Sequence, residues 1–231
     1  MRRRRRGLVI AVDGPVGAGK SSAARALARR LGYRYVDTGA MYRAVAWRAI
    51  REGIPLSDGA RLAGLARRLP IRFVPRGRGQ RILAGREDVT RAIRSPAAAE
   101  ASSRVSTHRG VRRALVARQR SLGASGGVVM EGRDIGTVVF PHADVKVYLD
   151  ASLEARARRR WAELRRGGSR ASLRAVRQEV RRRDRRDRLR RTSPLRPAPG
   201  ALRLDTTGLG LRAVVGRLAR EALARLGKEA N

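Results

Sequence analysis

Eight consecutive residues, Gly14-Pro15-Val16-Gly17-Ala18-Gly19-Lys20-Ser21, carry the clearest chemical signal in the chain. Gly14, Gly19, Lys20 and Ser21 satisfy the G-x-x-x-x-G-K-[ST] spacing of a P-loop. Glycine lets the backbone curl until successive N–H groups point inward at phosphate oxygens, and a helix starting at Lys20 adds a favourable dipole. Lys20 has the reach and the charge for β and γ phosphates. Ser21 offers the hard oxygen that suits Mg²⁺, a cation that keeps several waters and takes few protein ligands. The string from Gly14 to Ser22 is therefore expected to bind a nucleoside triphosphate as its Mg²⁺ complex, with Ser21 as metal ligand. It specifies phosphate and leaves the reaction open.

The flanking pattern supplies the elements such a loop requires. Leu8 to Val12 is an apolar run of strand length, and Lys20 to Leu31 has apolar residues at helical spacing. Tyr33 to Val36 reads as a short strand, Asp37-Thr38-Gly39 as a turn and Ala40 to Arg51 as a helix, so a parallel α/β sheet is forming. Further strands are expected at Gly127–Met130, Val145–Leu149 and Ala201–Leu204. Five such strands predict a three-layer α/β/α sandwich. Ile71–Val74 and Gln80–Leu83, joined by Pro75 to Gly79, read as a hairpin with no room for a crossover helix. Helices are compatible with Pro96–Ser106 and Val111–Leu122. Leu153–Arg166 and Leu173–Arg191 read as two charged helices around the flexible Arg166-Gly167-Gly168-Ser169 break. The expected organisation is one domain over residues 1–231: a core of about 7–69, 109–152 and 190–231, an inserted acceptor lobe of about 70–108, and a lid of about 153–189.

Composition narrows the classes. The 231 residues are 42% hydrophobic and 32% charged, the balance of a folded soluble chain. No apolar run is long enough to span a bilayer, and Arg2–Arg6 leads into a stretch cut short by Asp13, so neither a membrane span nor a signal peptide is expected. The absence of cysteine excludes disulfides, thiolate metal sites and cysteine nucleophiles, and cytoplasmic location is the expectation. The net charge of +36 points first to polyanions, yet all but three of the 55 basic residues are arginine and they run through the whole chain. A general preference for Arg over Lys produces that pattern without a nucleic-acid surface. Against such a background an aspartate in a chosen place is more informative than an arginine.

A P-loop alone leaves GTPases, motor ATPases, helicases and small-molecule kinases open. No Asn-Lys-x-Asp base-recognition string and no second ATPase core occur, which favours a compact phosphotransferase. The chain resembles the bacterial cytidylate (CMP) kinases, a family of P-loop nucleoside monophosphate kinases. The resemblance is carried by Ile10 to Pro15, by Asp37-Thr38-Gly39-Ala40-Met41-Tyr42-Arg43, and by the run from Glu131-Gly132-Arg133-Asp134 to Pro141. Val145 to Ala151 and Arg183-Asp184-Arg185-Arg186-Asp187-Arg188, followed by Pro194-Leu195, extend it over almost the whole chain.

The resemblance implies transfer of the ATP γ-phosphate to CMP or dCMP, giving ADP and CDP or dCDP, by direct in-line attack. It implies that Arg43, Arg133, Arg183 and Arg190 hold the CMP phosphate, and bidentate arginine forks do suit a dianion. Arg183, Asp187 and Arg190 fall on one face of a helix, where Asp187 can accept a sugar hydroxyl. Ser103, Arg112 and Asp134 would face cytosine. A carboxylate accepts from its 4-amino group and repels the uracil carbonyl at the same place. Thr38 and Tyr42 complete the acceptor set, and Asp37 is a candidate to organise Mg²⁺ through water.

Arg156, Arg159 and Arg160, at i, i+3 and i+4, match the family's lid arginines and would join Lys20 and Arg133 as the catalytic cations. His108 and His142 read as surface residues, since no partners suggest a triad or a metal site. A monomer with ATP and CMP or dCMP as ligands, and with no specific nucleic acid or membrane, is expected. A UMP kinase and a nucleic-acid-binding NTPase, the latter suggested only by charge, stand as alternatives.

Overall fold

The computed structural model describes residues 7–77 and 79–228, so the arginine run Arg2–Arg6 lies outside the described residues. Two compact units divide the chain, one of residues 1–35 with 123–231 and the other Val36–Leu122. The second unit takes in the 70–108 segment together with the helices on either side of it.

The first unit is built on β1 (Val9–Asp13), α1 (Lys20–Leu31), β6 (Val128–Gly132), β7 (Val145–Asp150), α6 (Leu153–Arg166), α7 (Leu173–Leu189), β8 (Leu202–Asp205) and α8 (Leu211–Lys228). With β2 (Arg34–Asp37) at one edge, the parallel sheet runs in the order β2-β6-β1-β7-β8. β1 pairs in parallel with β6 and β7, and β7 with β8. Central strands of such a sheet bury both faces, which explains the unbroken apolar runs. Ile10, Val12, Val129, Val147 and Leu149 pack with Leu27 of α1 and Leu218 of α8. β1 connects outward past β6 on one side while β6 connects past β1 to β7 on the other, so the strand order reverses at β1 and β6, whose C-terminal ends are the usual ligand position in this architecture.

The second unit contains α2 (Thr38–Arg51), α3 (Gly59–Arg68), a three-stranded sheet of β3 (Ile71–Arg76), β4 (Gly79–Ala84) and β5 (Glu87–Asp88), then α4 (Pro96–Val105) and α5 (Arg109–Gly123). β3 and β4 pair antiparallel as the hairpin expected from the pattern, and β5 adds a third antiparallel strand. Met41, Val45, Leu62, Leu65, Ile82, Ile93 and Leu115 form its core.

Capping fixes the element starts. Asp58, Ser95, Ser152 and Ser172 each accept from a backbone N–H three residues on, and each such cap is worth about 1 kcal/mol. Asp37 does the same for Ala40 N–H, so Thr38 and Gly39 are the first turn of α2 and not a separate turn. The α6–α7 pair has its own small core of Leu164, Val176 and Val180, on which Val16 and Trp161 pack. No helix among the described residues is long and apolar enough to cross a membrane.

Candidate active site

Glycine geometry makes the loop between β1 and α1. A Cβ on Gly14, whose φ is 149°, would stand 2.0 Å from the Leu149 carbonyl oxygen, and one on Gly17, at φ 77°, would stand 2.6 Å from the Arg156 oxygen. Gly19 enters α1 in the left-handed region without a side-chain cap, which leaves the first N–H groups of the helix open to an anion. Lys20 is 5% exposed, and its Nζ donates to the Pro15 carbonyl at 2.7 Å, folding the side chain back across the loop. Burial, reinforced by the Arg133 guanidinium, pushes its ammonium down to about 7. Ser21 and Ser22 are exposed at the start of α1.

Three interactions brace the loop from behind. Arg156, 5% exposed, donates from Nε to Ala151 O at 2.9 Å and from Nη1 to Val16 O at 3.2 Å, and pairs with buried Asp184. Asp184 Oδ1 accepts from Val16 N–H at 3.4 Å, so the ion pair brackets one residue of the loop. Thr206 Oγ1 lies 3.2 Å from Ala18 O and accepts from Arg159 Nη1 at 2.8 Å. Arg156 and Arg159, expected over the transferring group, are thus placed in this structure with their guanidinium groups on backbone oxygens behind the loop. Arg160 is placed differently: it pairs with Glu163 at 2.8 Å, and its buried Nε has no hydrogen-bond partner.

The second group of side chains gathers where β6 ends. Arg133 Nε donates to Asp187 Oδ2 at 2.9 Å. Arg190 lies 3.8 Å from both Asp134 and Asp187. α7 ends at Leu189, so Arg190 reaches this cluster from an extended cap position and not from the helical face that the 183-187-190 spacing implied. Arg183 pairs loosely with Glu179 at 3.7 Å, and its buried Nε has no partner. Burial and the nearby Arg133 push the Arg183 guanidinium down to about 10. Burial opposes ionisation of Asp187, but Arg133 and Arg190 hold its carboxyl below the usual range. Lys20 feels Arg133, Glu131, Asp13 and Asp187, so loop and cluster share one electrostatic site.

Within the second unit, Asp37 pairs with Arg43 at 2.8 Å. Burial raises the Asp37 carboxyl, and Arg43 with the Ala40 N–H outweighs it, leaving the group below the carboxylate range. Asp37 therefore serves as helix cap and counterion to Arg43. Arg112, 2% exposed, stands over the Tyr42 ring at 5.4 Å and donates to Ser106 O at 3.4 Å. Thr38 and Ser103 are buried in the same unit. His108 is half-buried: its Nε2 meets Leu56 O at 2.9 Å, and it fills space beside Gly59. His142 is exposed.

A family model described as cytidylate kinase matches residues 10–223. The chain belongs to the cytidylate kinase family. It is 49% identical over 214 residues to the cytidylate kinase of Desulfitobacterium hafniense strain Y51, covering 93% of this chain and 92% of that protein. Identity is 51% over 217 residues to the cytidylate kinase of Symbiobacterium thermophilum, covering 93% and 96%. It is 47% over 223 residues to that of Geobacillus kaustophilus, covering 96% and 100%. Sequence reasoning missed Asp13, Asp184 and Thr206 as members of this site. A lone buried-strand aspartate before Gly14 was the one visible signal, while Asp184 was masked by its arginine-rich helix.

Proposed function

We propose that the protein transfers the γ-phosphate of ATP to CMP or dCMP, releasing ADP and CDP or dCDP. The observation that carries the reading is the Arg133–Asp187–Arg190–Asp134 constellation standing within electrostatic reach of the P-loop Lys20. Phosphoryl transfer needs cations on both sides of the moving group and little covalent chemistry, so positioning and charge neutralisation supply the rate. Lys20 leaves the Pro15 carbonyl for the β and γ phosphates. Arg133, Arg183 and Arg190 take the CMP phosphate, and Asp187 takes a sugar hydroxyl. Asp134 accepts from the cytosine amino group. Arg43, Thr38, Tyr42, Ser103 and Arg112 are carried as acceptor residues on the family's pattern, and Arg160 is the lid cation best disposed to turn toward the transferring group.

The residues fit Mg²⁺ delivered with the nucleotide. Ser21 presents an exposed hydroxyl in the first turn of α1, and no cluster of three or more His, Cys, Asp or Glu suited to a metal occurs among the described residues. One protein oxygen supplemented by phosphates and waters is what Mg²⁺ accepts. When bound, it neutralises charge on the β and γ phosphates. ADP release coupled to a reporter, measured with CMP, dCMP, UMP, AMP and GMP in turn, tests the reading. CMP and dCMP should stimulate release at least about tenfold more than UMP in kcat/KM. Stimulation by single-stranded nucleic acid with none by CMP would overturn it.

A further inference from the structure

We propose that Asp13 is a positioning residue that locks the acceptor-side turn to the donor loop, its two carboxylate oxygens holding the backbone that carries Arg133 and Asp134. The proposal rests on the reading in which those two residues contact the acceptor nucleotide. Asp13 ends β1, and the next residue is Gly14, where the P-loop opens. Its register partner on β6 is Gly132, the residue before Arg133. From there the side chain reaches forward: Oδ1 accepts from Ile135 N–H and Oδ2 from Gly136 N–H, both at 2.8 Å. Those two amides open a single π-helical turn, Ile135–Val139, directly after Asp134. π turns are rare and occur often at functional sites, and this one begins directly after the two residues whose side chains must be aimed.

A carboxylate here is costly. Asp13 is 3% exposed, and burial opposes its charge more than the two N–H groups and Lys20 favour it. If packing alone shaped this strand end, an apolar residue of similar size would serve at lower cost. What only a carboxylate supplies is two acceptor oxygens on one rigid fork, and each keeps one amide of the turn satisfied. Asparagine keeps the shape but turns one acceptor into a donor that faces an N–H, leaving an unsatisfied buried pair. The turn must then shift, and Arg133 and Asp134 shift with it. The P-loop has its own supports on Val16 and Ala18, so it stays in place.

The test is steady-state kinetics of Asp13→Asn beside the wild type, with CMP and UMP as acceptors and ATP varied separately. The variant should raise KM for CMP about tenfold or more and narrow the CMP-to-UMP ratio of kcat/KM, with KM for ATP within about threefold of wild type. An unchanged CMP KM and ratio, or equal losses in CMP and ATP KM, overturns the proposal. Failure of the wild type to use CMP would instead sink the proposed function, which keeps the two failures apart. Should the variant not fold, amide hydrogen exchange in the wild type decides. Ile135 and Gly136 should exchange at least about 10³-fold more slowly than free amides, and fast exchange at either overturns the proposal.

Discussion

The donor loop and the arginine cluster lie at neighbouring strand ends, and they are built by opposite means. The loop is backbone: glycines at 14, 17 and 19 take positive φ to curl it, and Arg156, Asp184 and Thr206 brace it through its backbone atoms. The cluster is side chains: Arg133 follows β6 while Arg183 and Arg190 come from α7 and its C-cap, with Asp134 and Asp187 as partial counterions. A backbone site is finished before its ligand arrives. The cationic side-chain site carries unbalanced charge: burial and Arg133 depress the Arg183 guanidinium, and its Nε has no hydrogen-bond partner. In the proposed function the first kind binds phosphate by preorganisation, and the second gains most of its stabilisation only with the ligand present.

Lys20 is the cation that the proposed function assigns to the donor phosphates, and its removal should have the largest effect. Lys20→Met keeps much of the volume and the burial but deletes the charge. Turnover with saturating CMP should fall on the order of 10³-fold, as for removal of a principal transition-state cation. The melting temperature should change little, because the ammonium is bonded to a neutral carbonyl, Pro15 O, and burial already disfavours its charge. Retention of a tenth or more of the wild-type kcat would mean that the backbone alone holds the donor phosphates, and would sharpen the contrast between the two sites.

The same contrast explains what was legible in the sequence. The loop is written in eight consecutive residues whose types are dictated by steric facts, such as the 2.0 Å approach of Leu149 O at Gly14, so it could be read directly. The five-stranded sheet was legible for a related reason: strands buried on both faces must be continuously apolar. The cluster resisted reading because its members are arginines in an arginine-rich chain, and spacing alone cannot say which of them turn inward. Arg156 and Arg160, four residues apart on one helix, are the plainest case. One is locked behind the loop on Ala151, Val16 and Asp184, and the other lies beside Glu163. Helix α3 went unread although the Asp58 cap and the helical spacing of Leu62, Leu65 and Ala66 were both in the sequence, whereas β5 is two residues long and carries no period.

Arg183 tests the cluster side of the comparison. Arg183→Met removes a buried cation whose neighbours include Arg133 and Arg160 and whose counterion Glu179 is 3.7 Å away. Relief of repulsion offsets the loss of that pair, so the unliganded protein should melt within about 3 °C of wild type or above it. Catalysis should suffer: kcat/KM for CMP is expected to fall about 10²-fold with KM for ATP nearly unchanged. The opposite pattern, a destabilised fold with intact CMP kinetics, would make Arg183 a structural partner of Glu179 and remove it from the cluster.

The smallest effect concerns Asp13, where loop and cluster meet, and it is a slope and not a loss. Burial raises this carboxyl from 3.8 to about 7, although the Ile135 and Gly136 amides pull it down. Between those values the native state holds a proton that the unfolded state has released. Stability contributed by the group is therefore complete below the unfolded value and declines as pH rises through the native one. Asp13→Asn does not titrate and lacks this decline. The melting temperature of the ligand-free wild type minus that of the variant should consequently fall between pH 5 and pH 8, on top of a constant offset for the hydrogen bond that asparagine cannot make. A difference that rises over this range would show the native carboxyl to be more acidic than the unfolded one, with the two amides outweighing burial. Asp13 would then stabilise the fold at neutral pH as well as orient the turn. A falling difference means that burial outweighs the two amides, and that the protein loses stability as the fork between donor and acceptor becomes charged toward neutral pH, as sites selected for activity commonly do.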